Sequence, residues 1–234
     1  PPAHWTPDMI RGVVFDFDGV ILDTETTLFE VWSDYYARYG ATLPLERWVA
    51  IVGGEDEDGF DPWAYLLEQV DTPIDRDAID RERVAALFRR LAAQEAMAGV
   101  RECMAHVRAA GLALGVASSS DTDWVEGHLG NLGLRHQVQA IACGDEVPRV
   151  KPDPALYRLA AERLGLAPEA CIAIEDSHKG VTAAKAAGMF CIAVPNRVTA
   201  GLDLSAADYR AEALTVARLR HWLEDAGARM RHAL

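Results

Sequence analysis

Lysine is nearly absent from this chain. Lys151, Lys179 and Lys185 stand against twenty arginines, and Asp and Glu together number 36 in 234 residues. The formal charge of -13 lacks the basic surplus with which nucleic-acid binders neutralise phosphates, so no nucleic-acid partner is expected. No apolar run approaches the roughly 20 residues that span a bilayer. Nor does the opening PPAHWTPDMI carry a basic segment followed by an apolar one, as a secretion signal does. The expectation is a soluble cytoplasmic protein with no membrane contact, a monomer or weak homodimer. Cysteine is sparse too. Cys103, Cys143, Cys171 and Cys191 have neither zinc nor redox-motif spacing, and read as buried reduced thiols.

What is present is half apolar, enough for a full core and one or two domains. Five short apolar runs lack polar alternation, as strands of a parallel sheet covered on both faces do. They are Val13–Phe17, Leu112–Ala117, Ala140–Cys143, Cys171–Glu175 and Cys191–Pro195. Helical patterns separate them. RECMAHVRAAG closes at Gly111, and DTDWVEGHLGNLG opens at Asp121 with Glu126 as a late capping-box acid. DPALYRLAAERLG has Asp153 as N-cap and Pro154 in the first turn, and HKGVTAAKAAG stops at Gly188. Alternating strands and helices predict an α/β fold: a doubly wound, Rossmann-like parallel sheet with right-handed crossovers.

The first and second runs are too far apart for one crossover helix. Residues 24–94 are helical in pattern and carry a net charge of -8. They are expected to form an inserted helical cap domain, with residues 1–23 and 95–234 forming the core. Trp32, Tyr35, Tyr36 and Tyr39 recur at helical spacing, and most of them read as the interior of that insert.

The candidate chemistry lies in GVVFDFDGVILDTE, residues 12–25. If the strand continues through it, Asp16 and Asp18 face one side at the carboxyl end, where open parallel sheets place their ligands. Two like charges so close call for a cation or a shared proton. Ser118–Ser120, Lys151 and Glu175-Asp176 follow later strands and converge on the same edge. Such a set suits phosphoryl transfer. One carboxylate attacks phosphorus, a second moves the proton, hydroxyl and ammonium groups bind the oxygens, and a hard divalent cation neutralises charge.

DFDGVILDTE, ASSS, KPDP and IEDSHKG, in that order, resemble the haloacid dehalogenase-like hydrolases across essentially the whole chain, in the β-phosphoglucomutase-like and phosphatase branch with a helical cap. The resemblance implies Asp16 as nucleophile and metal ligand. It implies Asp18 as general acid/base, its backbone carbonyl also on the metal, and Gly19 at the sharp turn after the acids. Ser118, with Ser119 beside it, and Lys151 would hold the phosphoryl group. Asp176 would ligate Mg²⁺, with Glu175 beside it directly or through water.

Asp18 argues against dehalogenation, in which no leaving oxygen needs a proton. The absence of Lys from residues 24–94 argues against a Schiff-base phosphonatase. A β-phosphoglucomutase-type enzyme would have a His where Leu28 stands and an Arg in VGGEDEDGF; this chain has neither. The expected function is a Mg²⁺-dependent phosphatase of a small phosphorylated metabolite, perhaps a sugar phosphate, with the mutase as alternative and a non-catalytic metabolite-binding module behind it. Asp23, Thr24 and Asp153 read as turn or cap residues, Arg149, His178 and Lys179 as surface, and the acidic loop Gly53–Trp63 as solvated or bordering the substrate.

Overall fold

The computed structural model describes residues 10–52 and 60–232. Six parallel strands form one sheet: β1 (Gly12–Phe15), β2 (Ala113–Ala117), β3 (Ala140–Ala142), β4 (Cys171–Glu175), β5 (Phe190–Ala193) and β6 (Tyr209–Arg210). Their order is β3-β2-β1-β4-β5-β6, so the chain reverses its direction of travel across the sheet between β1 and β4. That reversal opens a crevice at the carboxyl ends of these two strands. The expected α/β, Rossmann-like fold is the one observed.

Successive residues of β1 serve opposite faces. Val13 and Phe15 join one buried cluster with Leu114, Val116, Ile172 and Ile174. Val14 joins the other with Ala117, Ala173, Cys191 and Ala193. The second face is rich in alanine, as are the helices that cover it, α7 (Ala155–Arg163) and α8 (His178–Ala187). Small side chains on both surfaces bring these helices close to the strands. The other face is closed by α5 (Val100–Ala109), α6 (Thr122–Asn131) and α9 (Val216–His232). All four cysteines are free and buried, as expected, and burial raises the Cys103, Cys143 and Cys171 thiols to about 12.

Between β1 and β2 lie α1 (Thr24–Arg38), α2 (Leu45–Val49), α3 (Pro62–Leu67) and α4 (Arg76–Ala92). Asp23 caps α1 by accepting from the Thr26 amide, and Asp61 and Asp75 cap α3 and α4 in the same way. Trp32, Tyr35 and Tyr36 are buried as expected. The ring of Trp32 meets Trp63 edge-on at 5.3 Å.

The structure corrects several boundaries. β1 ends at Phe15, so Asp18 is not on a strand. Asp16 adds one further ladder bond, its N–H donating to the Ile174 carbonyl at 2.9 Å. The chain then folds back, with the Ile21 amide on the Phe17 carbonyl and Gly19 at a φ of 84°. Pro154 is the N-cap of α7, while Asp153 binds the Ala155 amide one residue outside it. Glu126 closes no capping box, since it lies five residues past the Asp121 N-cap, and its carboxylate pairs with Arg135 instead. α2, β6 and the last helix, α9, went unpredicted, the first two being too short to show periodicity. The segment Gly53–Gly59 of the acidic loop lies outside the described residues.

The alanine face predicts a sensitive position. Ala173 is fully buried in β4 between α7 and α8. Ala173→Leu is expected to destabilise the fold by about 1–3 kcal/mol through overpacking, seen as a lower urea midpoint with an unchanged slope.

Candidate active site

The crevice collects side chains from four strand ends. Asp16 directly follows β1, Ser118 follows β2, Lys151 lies in the loop between β3 and α7, and Glu175 ends β4 with Asp176 next. The ammonium of Lys151, 2% exposed, sits 2.5 Å from Asp16 Oδ1 and 2.6 Å from Glu175 Oε1. Burial alone would strip its proton. The two carboxylates outweigh that burial and push its pKa above the ordinary lysine value.

Glu175 is fully buried and fully engaged. Its Oε1 also accepts from the Tyr157 hydroxyl at 2.7 Å, and its Oε2 accepts from the Asp176 and Ser177 amides and the Ser177 hydroxyl. Ser177 is the N-cap of α8, so the positive end of that helix faces the same carboxylate. A Cβ on Gly180, in the first turn, would lie 1.9 Å from a Glu175 oxygen. Only glycine permits this approach of helix to carboxylate.

Asp18 is held differently, by neutral donors. Oδ2 accepts from the Ser118 hydroxyl at 3.0 Å and the Ser120 hydroxyl at 2.7 Å, and Oδ1 accepts from the Trp124 indole N–H at 3.0 Å. Ser118 Oγ in turn accepts from the Ser120 amide. Asp176 Oδ2 accepts from the Asn196 amide group at 2.7 Å and the Thr199 hydroxyl at 3.3 Å. Asn196 also binds the Gly19 carbonyl. A Cβ on Gly19 would strike Asp176 Oδ2 at 2.2 Å, so the turn after the acids needs glycine for space as well as for its φ.

These groups open into a cavity of about 250 Å³ lined by Asp16, Asp18, Ser119, Ser120, Lys151 and Asp176 from the strand ends. Glu25, Leu28, Ile51 and Val52 line it from the segment between β1 and β2, and Trp124 from α6. Ser118 and Glu175 lie behind this surface, both fully buried.

Residues 13–194 match the model of the haloacid dehalogenase-like hydrolase family. The chain belongs to that family. It is 41% identical to YhcW of Bacillus subtilis, a phosphatase by name, over 88% of this chain and 93% of that one. It is 32% identical to the fructose-1-phosphate phosphatase YqaB of Escherichia coli, covering 78% of this chain and 95% of the other. A family hydrolase from Deinococcus radiodurans, solved with phosphate and sodium bound, superposes with a TM-score of 0.76 at 30% identity, covering 95% and 98% of the two chains.

The donor set of this haloacid dehalogenase-like hydrolase suits a hard cation. Asp16, Glu175 and Asp176 are buried, and each offers an oxygen within 4.8 Å of the others. Burial and mutual repulsion hold Asp16 and Asp176 well above the usual carboxylate range, and Lys151 offsets only part of this. Three carboxylates and one ammonium leave a formal charge of -2, which a divalent ion balances.

Trp124, Tyr157, Asn196 and Glu25 were missed in the sequence, and Ser120 was placed at the site edge without a role. Ser120 and Trp124 sit in the same ASSSDTDW stretch as Ser118, and Asn196 follows β5 at the sheet edge already expected to carry the site. Tyr157 and Trp124 carried no local signal, since aromatic residues at helical spacing read as core. His178 and Arg149, expected at the surface, are exposed. His178 binds the Asp203 carbonyl and Arg149 pairs with Asp153.

Burial, then the charges of Asp18 and Asp23, raise Glu25 from 4.5 to about 8. The folded state therefore binds this proton more tightly than the unfolded chain, and stability falls as pH rises between about 4.5 and about 8. In EDTA, Glu25→Gln is expected to unfold at a higher temperature than the wild type at pH 8 and to differ little at pH 4.5. Melting curves at the two values check the sign.

Proposed function

We propose that this protein is a Mg²⁺-dependent phosphatase that hydrolyses a small phosphorylated metabolite, such as a sugar phosphate, through an aspartyl-phosphate. The buried Asp16–Lys151–Glu175 contact beside a cavity that Asp18 also lines carries this reading. The phosphatase names of relatives, fructose-1-phosphate phosphatase among them, support the substrate class. A cavity of about 250 Å³ lies below the roughly 300–1,000 Å³ of drug-sized sites, which favours a small substrate.

Asp16 is the nucleophile. Lys151 binds its Oδ1, and its Oδ2 has no hydrogen-bond partner among the described residues. One oxygen of this carboxylate attacks phosphorus as the ester P–O bond breaks, and Asp18 gives the leaving alkoxide oxygen a proton. Asp18 then takes a proton from the water that attacks the aspartyl-phosphate, releasing inorganic phosphate and restoring Asp16. Lys151 and Ser119 hold phosphoryl oxygens, together with Ser118 once its hydroxyl turns from Asp18. The Ser119 hydroxyl is buried without a partner among the described residues, so its proton is free to donate. Asp16, Asp176, Glu175 and the Asp18 backbone carbonyl would hold Mg²⁺, whose chemistry is to neutralise charge between the acids and the phosphoryl group.

Residues 24–94 act as the cap domain over a core of residues 1–23 and 95–234. Glu25, Leu28, Ile51 and Val52 on the cavity wall support that role. A mutase reading loses support at Leu28, which puts an apolar side chain in the cavity where a histidine was expected. The metabolite and the reaction imply a cytoplasmic location.

Phosphate release from sugar phosphates, phosphoglycolate and nucleotides tests this reading. Release is expected with Mg²⁺ and not with EDTA. Asp16→Asn should lower it by at least about 10³-fold, and Asp18→Asn by about 10²–10⁴-fold. No release from any substrate, or isomerisation of glucose 1-phosphate instead, would overturn it.

A further inference from the structure

One carboxyl group in the cavity is left unused by this chemistry. Glu25, in the first turn of α1, lines the wall with Leu28, its neighbour three residues on along the same helix face. Asp16, Asp18 and Asp176 each accept hydrogen bonds from the protein. Glu25 accepts none among the described residues; burial and the charges of Asp18 and Asp23 are what act on it. A half-buried carboxyl on the cavity wall with no donor from the described residues leaves its oxygens open to a ligand's hydroxyl groups.

The rest of the wall narrows what such a ligand is. Leu28, Ile51, Val52 and Trp124 present carbon surface around Glu25. Among the described lining residues Lys151 is the one basic side chain, and Asp16 and Glu175 already share its ammonium. A leaving group extending past the phosphoryl site therefore meets an acceptor and apolar walls, with no cation to receive a second phosphate or a carboxylate. Neutral or ionised, a carboxyl accepts from an alcohol.

We propose that Glu25 is a specificity-determining residue that accepts hydrogen bonds from hydroxyl groups of the leaving group. The preferred substrates are then monophosphates of neutral polyols, sugars or sugar alcohols, over bisphosphates and phosphorylated carboxylic acids. The inference rests on the phosphatase reading above and specifies its substrate class.

The test measures kcat and KM with Mg²⁺ for fructose 1-phosphate, glucitol 6-phosphate, fructose 1,6-bisphosphate, 3-phosphoglycerate and p-nitrophenyl phosphate, the last having no alcohol groups. Wild type, Glu25→Gln and Glu25→Ala are compared. The wild type should favour the two polyol monophosphates over the bisphosphate and the phosphoglycerate by at least about tenfold in kcat/KM. Glu25→Ala should lower the ratio of kcat/KM for a polyol monophosphate to that for p-nitrophenyl phosphate by about tenfold, mainly through KM. Glu25→Gln, which keeps an acceptor, should restore most of that ratio. Turnover of p-nitrophenyl phosphate with an unchanged ratio in Glu25→Ala, or a wild-type preference for the bisphosphate or phosphoglycerate, overturns this inference alone. No release from any compound, p-nitrophenyl phosphate included, overturns the phosphatase reading and this inference with it.

Discussion

The rest of the site is arranged around the ammonium of Lys151. Its two carboxylate partners stand at the ends of β1 and β4, the adjacent strands between which the chain changes direction. Sheet topology therefore fixes where the positive charge sits. A buried ion pair is a weak source of stability, because desolvation offsets much of the attraction. Its value here is that it is fixed. Tyr157, Ser177 and the backbone amide of Asp176 bind the Glu175 carboxylate, so Glu175 holds the lysine from a fixed position while keeping an oxygen within reach of Asp16 and Asp176. Gly180 lets α8 approach closely enough to supply two of those donors.

The two acids of DFD meet unlike surroundings. Asp16 is bound by a cation and repelled by Glu175 and Asp18, while Asp18 is bound by two hydroxyls and an indole N–H. Environments that differ in this way separate the behaviour of two carboxylates of the same type. Trp124 also reaches away from the site. Its ring meets Phe88 of α4 at 5.6 Å and His128 at 4.5 Å. A helix from the segment between β1 and β2 thus touches the residue that holds Asp18.

The sheet was legible because buried parallel strands are written as unbroken apolar runs, and each of the five runs became a strand. What could not be read was where a strand ends and a turn begins. The apolar pattern of VVFDF runs through Phe17, yet Phe17 is buried from a turn rather than a strand. Both acids line the cavity although they lie past the end of β1, with Asp18 in the turn that starts at Phe17. Lys151 was conspicuous through scarcity, and Asp176 through its place after β4. Trp124, Tyr157 and Asn196 were silent because their roles depend on partners 106, 18 and 20 residues away, and no local pattern encodes those distances.

The charge of the whole chain bears on the same site. A net charge of -13 repels an anionic substrate over the range in which electrostatic steering acts, and residues 24–94, which supply part of the cavity wall, are themselves at -8. Capture of a phosphoryl group must then come from short-range donors. Lys151 and the Ser119 hydroxyl, without a partner among the described residues, are those the strand ends provide. The carboxylates around them oppose the substrate until a cation offsets their charge, so an ion held by Asp16, Glu175 and Asp176 would be required for binding as much as for chemistry. On this argument metal removal weakens substrate affinity together with turnover, and the acidity of the chain becomes a constraint on which substrates stay: those whose remaining groups are uncharged.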